Sequence, residues 1–156
     1  MKVYISGVLT DGDEIGDLKT FYEEIGQVCK ELGLEPYIPH QHTDPAAHPQ
    51  LTPRDIYHKD RQQIAASRLV VAYVGRPSLG VGAEIEIAHQ CGVPVILLYE
   101  GGKTISRMAR GNPAVAEEVI FTDFEDALAR LLASIQRVLT GDTKRAYRAK
   151  RTTDSG

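Results

Sequence analysis

The sequence predicts an α/β fold: a doubly wound five-stranded parallel sheet with helices on both faces, of the flavodoxin or Rossmann type. Short apolar runs alternate along the chain with amphipathic segments of helical periodicity. Two of the runs, LVVAYV and VPVILLY, are apolar throughout, which is typical of strands buried on both faces of a parallel sheet. Because such sheets bind ligands at the carboxyl ends of their strands, we expect functional residues in the loops that follow the strands.

The individual elements follow from the same patterns. The five strands are predicted at residues 2–8, 35–39, 69–74, 93–99 and 118–122. The helices are predicted at residues 15–32, from 52 to about 67, in a segment ending near 90, in a short segment near 104–110, and from 122 onward. The helix at Thr52 has clear start signals, because Pro53 and Asp55 follow the capping threonine. Residues 40–51, rich in His, Pro and Asp, are predicted to form a loop.

Length and charge limit the function classes. The length of 156 residues is enough for one catalytic domain, which we place at residues 1–140. The remaining residues, 141–156, form a basic tail with five Lys/Arg and two Asp, which we expect to be disordered. The net charge of -3 favours neither nucleic acid nor membrane as a partner. The chain begins MKVYIS without an apolar leader, so we expect a cytoplasmic protein, with Cys29 and Cys91 as reduced core residues.

A glycine-spaced loop follows the LVVAYV run and leads into a helix. Ser78, Gly80 and Gly82 stand where backbone N–H groups and a helix N-terminus attract anions, and the glycines allow close approach of a ligand. The segment lacks the third glycine of a dinucleotide fingerprint and does not follow the first strand. It indicates either a small phosphate-binding turn or simply a tight strand-to-helix connection.

Two carboxylates interrupt apolar helix faces. Glu84 shares a helix face with Ile87, Ala88 and Cys91, whereas Glu86 faces the opposite side and is expected to be solvated. Asp60 likewise stands between Ile56 and Ile64 at a spacing of four. Acids are seldom buried without a partner.

Glu84 and Asp60 therefore predict acid–base work, or a nucleophile with an acid, on a glycosidic bond. The alternative is that each carboxylate caps a backbone group. Tyr4 in the first strand could reach one of them with its hydroxyl, or could serve packing alone. His40, His42 and His48 have no recognisable ligand spacing, so we expect neither a metal nor another cofactor, although His40 follows the second strand and can contact a ligand there.

The segment RPSLGVGAEIEIAHQCGVPVILLY resembles the catalytic segment of the 2'-deoxynucleoside 5'-phosphate N-hydrolases, within the nucleoside 2-deoxyribosyltransferase superfamily. The likeness extends to VYISG at the start, to His40, to HKDRQQIAASRLVVAYV and to ISRMARG, and it covers roughly residues 2–139 in order. It implies the doubly wound fold and a homodimer with active sites near the subunit interface. It also implies hydrolysis of deoxynucleoside monophosphates to base and deoxyribose 5-phosphate.

The resemblance also implies roles for single residues. Glu84 matches the nucleophile that attacks C1', Asp60 the acid that assists departure of the base, and Tyr4 the tyrosine that orients the nucleophile. The substrate-binding positions that match are Gly7, His40, Ser78, Gly80, Gly82 and Ser106, and the serine at 106 is lent to the phosphate by the neighbouring subunit.

One departure from the family pattern leaves open whether the substrate carries a 5'-phosphate. Where the relatives have a serine and an arginine after Gly7, this chain reads Val8-Leu9-Thr10-Asp11. A phosphate would then have to meet another cation, for which the sequence offers Arg54, Arg76, Arg107 and Arg110. The alternatives to the hydrolase are a deoxyribosyltransferase that passes the sugar to a second base, and a nucleotide-binding sensor without turnover.

Overall fold

The computed structural model describes residues 1–9 and 14–141, and these form five strands and six helices. The strands are β1 (Lys2–Ser6), β2 (Glu35–Tyr37), β3 (Leu69–Tyr73), β4 (Val95–Glu100) and β5 (Val115–Phe121). The helices are α1 (Ile15–Glu31), α2 (His40–Thr43), α3 (Pro53–Ala65), α4 (Leu79–Gln90), α5 (Arg107–Arg110) and α6 (Phe124–Thr140).

The strands form one parallel sheet in the order β2-β1-β3-β4-β5. This is the predicted doubly wound architecture. The chain moves outward from β1 to β2, returns across the sheet to β3, and then continues to the other edge. The direction of winding therefore changes between β1 and β3, and ligands bind such folds in the crevice at the carboxyl ends of these two strands.

Two apolar clusters cover the two faces of the sheet. On one face α1 and α6 pack their apolar stripes, including Phe21, Ile25 and Leu131, against Ile5 and Val71. The other face carries α3 and α4 through apolar residues such as Ile64, Val81, Ile85 and Ala88. Tyr4 belongs to this second cluster, so the α3 and α4 face is the one on which the candidate catalytic residues meet.

Most element ends fall close to the prediction, and their capping residues explain why. Thr52 accepts a hydrogen bond from the Asp55 amide at 3.2 Å while Asp55 Oδ2 accepts one from the Thr52 amide at 2.9 Å, a complete capping box. Gly33, in the left-handed region at φ 72°, follows the end of α1.

Several details differ from the sequence prediction. Residues 40–51 are not entirely loop, because His40–Thr43 form the short helix α2, in which the Thr43 amide and hydroxyl both donate to the Pro39 carbonyl. Strand β1 ends at Ser6 rather than residue 8, and β5 begins three residues before the predicted 118. Of the two cysteines, Cys29 is buried, whereas Cys91 is partly exposed at the end of α4.

The predicted tail at 141–156 lies, apart from Gly141, outside the described residues, as do Thr10 and Asp11 of the first loop. Within residues 1–9 and 14–141, no helix combines the length and apolar character needed to cross a bilayer.

Candidate active site

Two hydroxyl groups of β1 hold the carboxylate of Glu84. The Tyr4 hydroxyl donates a 2.7 Å hydrogen bond to Glu84 Oε1, and the Ser6 hydroxyl donates a short one to Glu84 Oε2. Because side chains alternate along a strand, Tyr4 and Ser6 stand on the same face of the sheet, two residues apart. Each oxygen of the carboxylate therefore has its own donor, and the orientation of the group is fixed.

The start of α4 places Glu84 opposite these donors. Ser78 caps the helix in an extended conformation, and its hydroxyl accepts a hydrogen bond from the Val81 amide at 3.3 Å. Val81, Ile85 and Ala88 then bury one side of the helix against the sheet. Glu84 lies beside that apolar side and Glu86 is exposed, as the helical spacing predicted.

Asp60 reaches the same face from α3, between the partly buried Ile56 and the fully buried Ile64. Its Oδ1 is buried and has no hydrogen-bond partner among the residues that the structure describes. Burial raises the pKa of Asp60 to about 6, against smaller opposite effects of the Tyr4 hydroxyl and the Lys59 charge. The predicted interruption of the apolar stripe is therefore confirmed, and capping of a backbone group does not explain it.

The two carboxyl groups interact electrostatically. Burial raises the pKa of Glu84 to about 7, the Ser6 and Tyr4 hydroxyls oppose this, and the charge of Asp60 adds to it. Interacting acids titrate as a pair, so the pair holds one proton in the weakly acid range. The two hydroxyl donors favour the ionised form of Glu84, whereas no donor reaches Asp60 Oδ1 within the described part of the chain.

Aromatic rings form one wall of the site. Tyr37, at the end of β2, is the parallel register partner of Tyr4, and the two rings stack with centroids 5.6 Å apart. His42 of α2 stacks on Tyr37 at 4.5 Å, nearly parallel to it. His40 packs deeper: its Nε2 lies 2.9 Å from Glu23 Oε1, and its Nδ1 is buried without a partner in the described structure.

Gly7 is required by packing. A Cβ at this position would lie 2.2 Å from the ring of Tyr22, whose hydroxyl donates a 3.2 Å hydrogen bond to the Val8 carbonyl. The absence of a side chain thus lets α1 close against the end of β1. Val8 is buried in the core, so this part of the first loop offers a ligand its backbone rather than a polar side chain.

A cavity of about 610 Å³ opens between the start of α4 and the segment around α5. Ser78, Gly82 and Ser106 line it, which brings together three of the predicted substrate-binding residues within one chain. Gly80 is exposed nearby, and neither Gly80 nor Gly82 is required to be glycine by close contacts, since a Cβ would meet at most the Ser78 hydroxyl at 3.7 Å. Ser106 caps the short helix α5.

The structure separates the four candidate arginines. Arg76 lines the cavity together with Ser78. Arg110 makes two hydrogen bonds to Glu118, at 2.9 and 3.1 Å, and Arg54 lies against His58 on the exposed side of α3. Arg107 is exposed at the first residue of α5 and does not line the cavity.

The histidines are not gathered into one cluster. His42 stacks on Tyr37, and His40 contacts Glu23. Within the described ranges, no group of three or more His, Cys, Asp or Glu side chains lies close enough to hold a metal ion.

Two residues of the site were not predicted from the sequence, Ser6 and Tyr37. Ser6 could have been found from the alternation of side chains along VYIS, which places the serine on the same strand face as Tyr4. Tyr37 could not be found in this way, because its place beside Tyr4 depends on the register of two strands whose paired residues are 33 positions apart in sequence. The assembled site combines an oriented carboxylate with a second carboxyl group of raised pKa, and neither Glu84 nor Asp60 lines the cavity beside α4.

Comparison with known proteins identifies the family. The model of the nucleoside 2-deoxyribosyltransferase family matches residues 3–130. A protein of Methanosarcina mazei named as a candidate 2'-deoxynucleoside 5'-phosphate N-hydrolase 1 is 30% identical over 140 residues, which are 88% of this chain and 84% of the relative. A protein of Syntrophotalea carbinolica with the same name is 30% identical over 121 residues, which are 74% of this chain and 81% of the relative.

Solved structures share the fold. The CMP N-glycosidase BcmB of Clostridium botulinum superposes with a TM-score of 0.65 at 20% identity, over 84% of this chain and 97% of its own. The 2-deoxyribosyltransferase of Bacillus psychrosaccharolyticus superposes with a TM-score of 0.61 at 18% identity, over 82% and 90% of the two chains. With the family model spanning most of the sequence, the conclusion is direct: this chain belongs to the nucleoside 2-deoxyribosyltransferase family.

Proposed function

We propose that the protein is an N-glycosidase that hydrolyses 2'-deoxynucleoside 5'-monophosphates to the free base and 2-deoxyribose 5-phosphate. The observation that carries the proposal is the carboxylate of Glu84, held by Tyr4 and Ser6 beside the buried carboxyl group of Asp60. A carboxylate fixed at both oxygens is suited to attack one carbon atom. A neighbouring acid with a pKa raised towards neutrality is suited to donate a proton to a leaving group.

In the first step, Glu84 attacks C1' of the deoxyribosyl group as the N-glycosidic bond breaks. The bonding electrons leave with the base, which takes its proton from Asp60. Positive charge that develops on the sugar is stabilised by the Glu84 carboxylate before the ester bond to C1' forms. The Tyr4 and Ser6 hydroxyls orient the attacking carboxylate throughout.

In the second step, Asp60 is ionised and acts as the base. A water molecule gives a proton to Asp60 and bonds to C1' through its oxygen, while the ester bond to Glu84 breaks. Glu84 recovers its charge and its two hydroxyl donors, and Asp60 again carries the proton needed for the next base. Two displacements at C1' retain the configuration of the sugar.

The cavity beside α4 supports a 5'-phosphate on the substrate. Ser78 and Ser106 provide hydroxyl donors. Arg76 provides a positive charge, which the first loop lacks at the buried Val8. A guanidinium group binds phosphate well because its planar N–H donors match the phosphate oxygens. The relatives in Methanosarcina mazei and Syntrophotalea carbinolica carry the name of enzymes acting on 2'-deoxynucleoside 5'-phosphates, which supports the same substrate class here.

A homodimer is part of the proposal. Leu79 and Met108, on opposite sides of the cavity, are 97% and 87% exposed. Large apolar side chains exposed together beside a cavity are typical of a surface that a partner covers. We propose that a second copy of the chain covers them, which would bring the partner's copy of the α5 segment close to the phosphate.

One observation favours the transferase as a second candidate. The described part of the first loop presents the buried, apolar Val8 where related hydrolases have polar phosphate ligands. A substrate without a 5'-phosphate would be accepted more readily by such a loop, and a second base would then replace water as the acceptor.

The test is an assay of base release from a panel of dNMPs, NMPs and deoxynucleosides, each with and without a second free base. The wild type is compared with Glu84→Gln, which should lose roughly 10³-fold or more in rate. Glu125→Gln, at an exposed position of α6 on the opposite face of the sheet, is the matched control and should keep its activity. Equal activity of the wild type and Glu84→Gln would exclude Glu84 as the nucleophile. A new nucleoside formed from the second base would support the transferase.

A further inference from the structure

The hydroxyl group of Tyr37 is buried and has no hydrogen-bond partner among residues 1–9 and 14–141. The whole side chain is almost inaccessible, with 6% of the residue exposed. A buried polar group normally has a partner, because leaving it unpaired costs free energy. Phenylalanine would fill the same position in β2 without that cost, so packing alone does not account for the hydroxyl.

The ring of Tyr37 is held on both sides. Tyr4 stacks on one side with an interplanar angle of 19°, and His42 stacks on the other with an angle of 7°. Tyr4 and Tyr37 are direct register partners in adjacent parallel strands, so their side chains leave the sheet on the same face. The direction of the Tyr37 hydroxyl is therefore set by its neighbours.

Asp60 carries the matching unpaired atom. Its Oδ1 is also buried and unpartnered in the described part of the chain. Asp60 lies one helical turn before Ile64 on α3, and Ile64 packs in the same apolar cluster as Tyr4 and Tyr37. Burial raises the pKa of Tyr37 to about 12, and the charges of Asp60 and Glu84 add to this effect. Tyr37 thus stays protonated at neutral pH and can donate a hydrogen bond, whereas an ionised Asp60 can accept one.

The arrangement repeats the one around the nucleophile. Tyr4 stands beside Glu84 and donates to it directly. Tyr37 stands one strand further out, and it is not hydrogen-bonded to Asp60. A donor and an acceptor that lie near each other without a mutual bond are suited to hold one small polar molecule between them.

We propose that Tyr37 and Asp60 together hold the water molecule that cleaves the glutamyl–deoxyribosyl ester. This inference rests on the proposed function, since it concerns the second step of that reaction. Tyr37 is then the residue that favours water over a second base as the acceptor.

The step balances in atoms and charge. The water oxygen accepts a hydrogen bond from the Tyr37 hydroxyl and gives one proton to the Asp60 carboxylate. Its remaining lone pair forms the new bond to C1', and the electrons of the breaking ester bond return to Glu84. Tyr37 keeps its own proton, so it positions the water and is unchanged at the end of the cycle.

A nucleobase fits this position less well than water. Both unpaired atoms are shielded from the surface, and the rings of Tyr4 and His42 already stack on Tyr37. A water molecule needs only two to four polar partners, and the two side chains supply two of them.

The test is rapid-quench kinetics on Tyr37→Phe with a dNMP, following base release and the mass of the intact protein. We expect a burst of about one base per active site at the wild-type rate. Steady-state turnover should then be at least roughly tenfold slower, the loss expected when one hydrogen bond to the attacking water is removed. The deoxyribose 5-phosphate adduct should accumulate on the protein, and an added second base should be glycosylated in a larger share of turnovers.

Tyr57→Phe removes a hydroxyl from an exposed tyrosine of α3 and should change none of these quantities. The thermal midpoint of Tyr37→Phe should equal or exceed that of the wild type, because no hydrogen bond within the protein is lost. If Tyr37→Phe slows the burst itself, accumulates no adduct or matches the wild type, the role of Tyr37 is wrong while the hydrolase remains. If the wild type releases no base, the proposed function fails, and this inference fails with it.

Discussion

The Tyr4 hydroxyl donates a 2.7 Å hydrogen bond to Glu84 Oε1 across a separation of 80 residues in the chain. This contact joins the first strand to the helix that follows the third. It therefore forms only when β1 and β3 lie side by side, and the candidate nucleophile is oriented by the fold itself.

Tyr4→Phe tests that contact. The loss of one donor should reduce the first-order rate of base release by roughly 10- to 100-fold. It should also raise the pKa of Glu84 further, because the Tyr4 hydrogen bond lowers it. Activity requires the ionised carboxylate, so the acid limb of the pH–rate profile should move to higher pH. Tyr99→Phe, which removes a hydroxyl that donates to Glu118 instead, should leave the acid limb in place.

Glu84→Gln should stabilise the protein at alkaline pH. The pKa of this carboxyl group rises from 4.5 to about 7 on folding, so the folded state binds the proton more tightly than the unfolded state. The free energy of unfolding must then fall as the pH rises from about 4.5 to 7. We expect the glutamine variant to be more stable by roughly 1–3 kcal/mol at pH 8 and equally stable at pH 4, as measured by urea denaturation.

Asp126→Asn is the control of opposite sign. The hydrogen bond from Arg130 lowers the pKa of Asp126, so its charge favours the folded state above the ordinary pKa of an aspartate. This variant should be less stable than the wild type at pH 8. Stabilisation by both substitutions would indicate a general charge effect rather than the burial of Glu84.

Arg76→Gln tests which group binds the phosphate. Arg76 lines the cavity with Ser78, so its loss should lower kcat/KM for a dNMP by roughly 10- to 100-fold while leaving the corresponding deoxynucleoside unchanged. Arg130→Gln, on α6, is the control for the removal of a positive charge. An equal loss for both substrates would assign Arg76 a structural role and leave the phosphate without a cation.

Gly7→Ala tests the closure of α1 on β1. The new methyl group would overlap the buried Tyr22 ring, and the overpacking should cost about 1–3 kcal/mol of stability. Gly16→Ala is the matched control, because a Cβ at that helical position meets nothing within 4 Å and should add up to about 1 kcal/mol. Urea denaturation of the two variants should therefore give changes of opposite sign.

Leu79→Glu and Met108→Glu test the dimer. A charge at these exposed positions should give a species of monomer size in sedimentation, whereas Ile120→Glu on the edge strand β5 should sediment like the wild type.

Mixing Ser106→Ala with Glu84→Gln then distinguishes two arrangements. If Ser106 serves the partner's site, mixed dimers contain a complete site and recover activity. If Ser106 serves its own chain, mixing restores nothing.

Helical periodicity was sufficient to predict how the candidate carboxylates face on α3 and α4. The inward face of Glu84, the outward face of Glu86 and the placement of Asp60 among apolar residues are local properties of single helices. The same holds for the capping box at Thr52, which depends on four consecutive residues.

What could not be predicted depends on contacts between distant segments. Tyr37 stands beside Tyr4 because of strand register, and Glu118 of β5 holds Arg110, whereas Arg76 lines the cavity. The short helix α2 was missed because four residues carry too little periodicity to identify a helix.

The two faces of the sheet differ in function. Both candidate catalytic carboxylates project from α3 and α4 on one face, whereas α6 covers the other with Ala127, Leu131 and Ile135. Substitutions on the buried side of α6 can therefore change thermal stability without altering the substrate pocket. Selection can likewise adjust durability and chemistry in separate parts of one small chain.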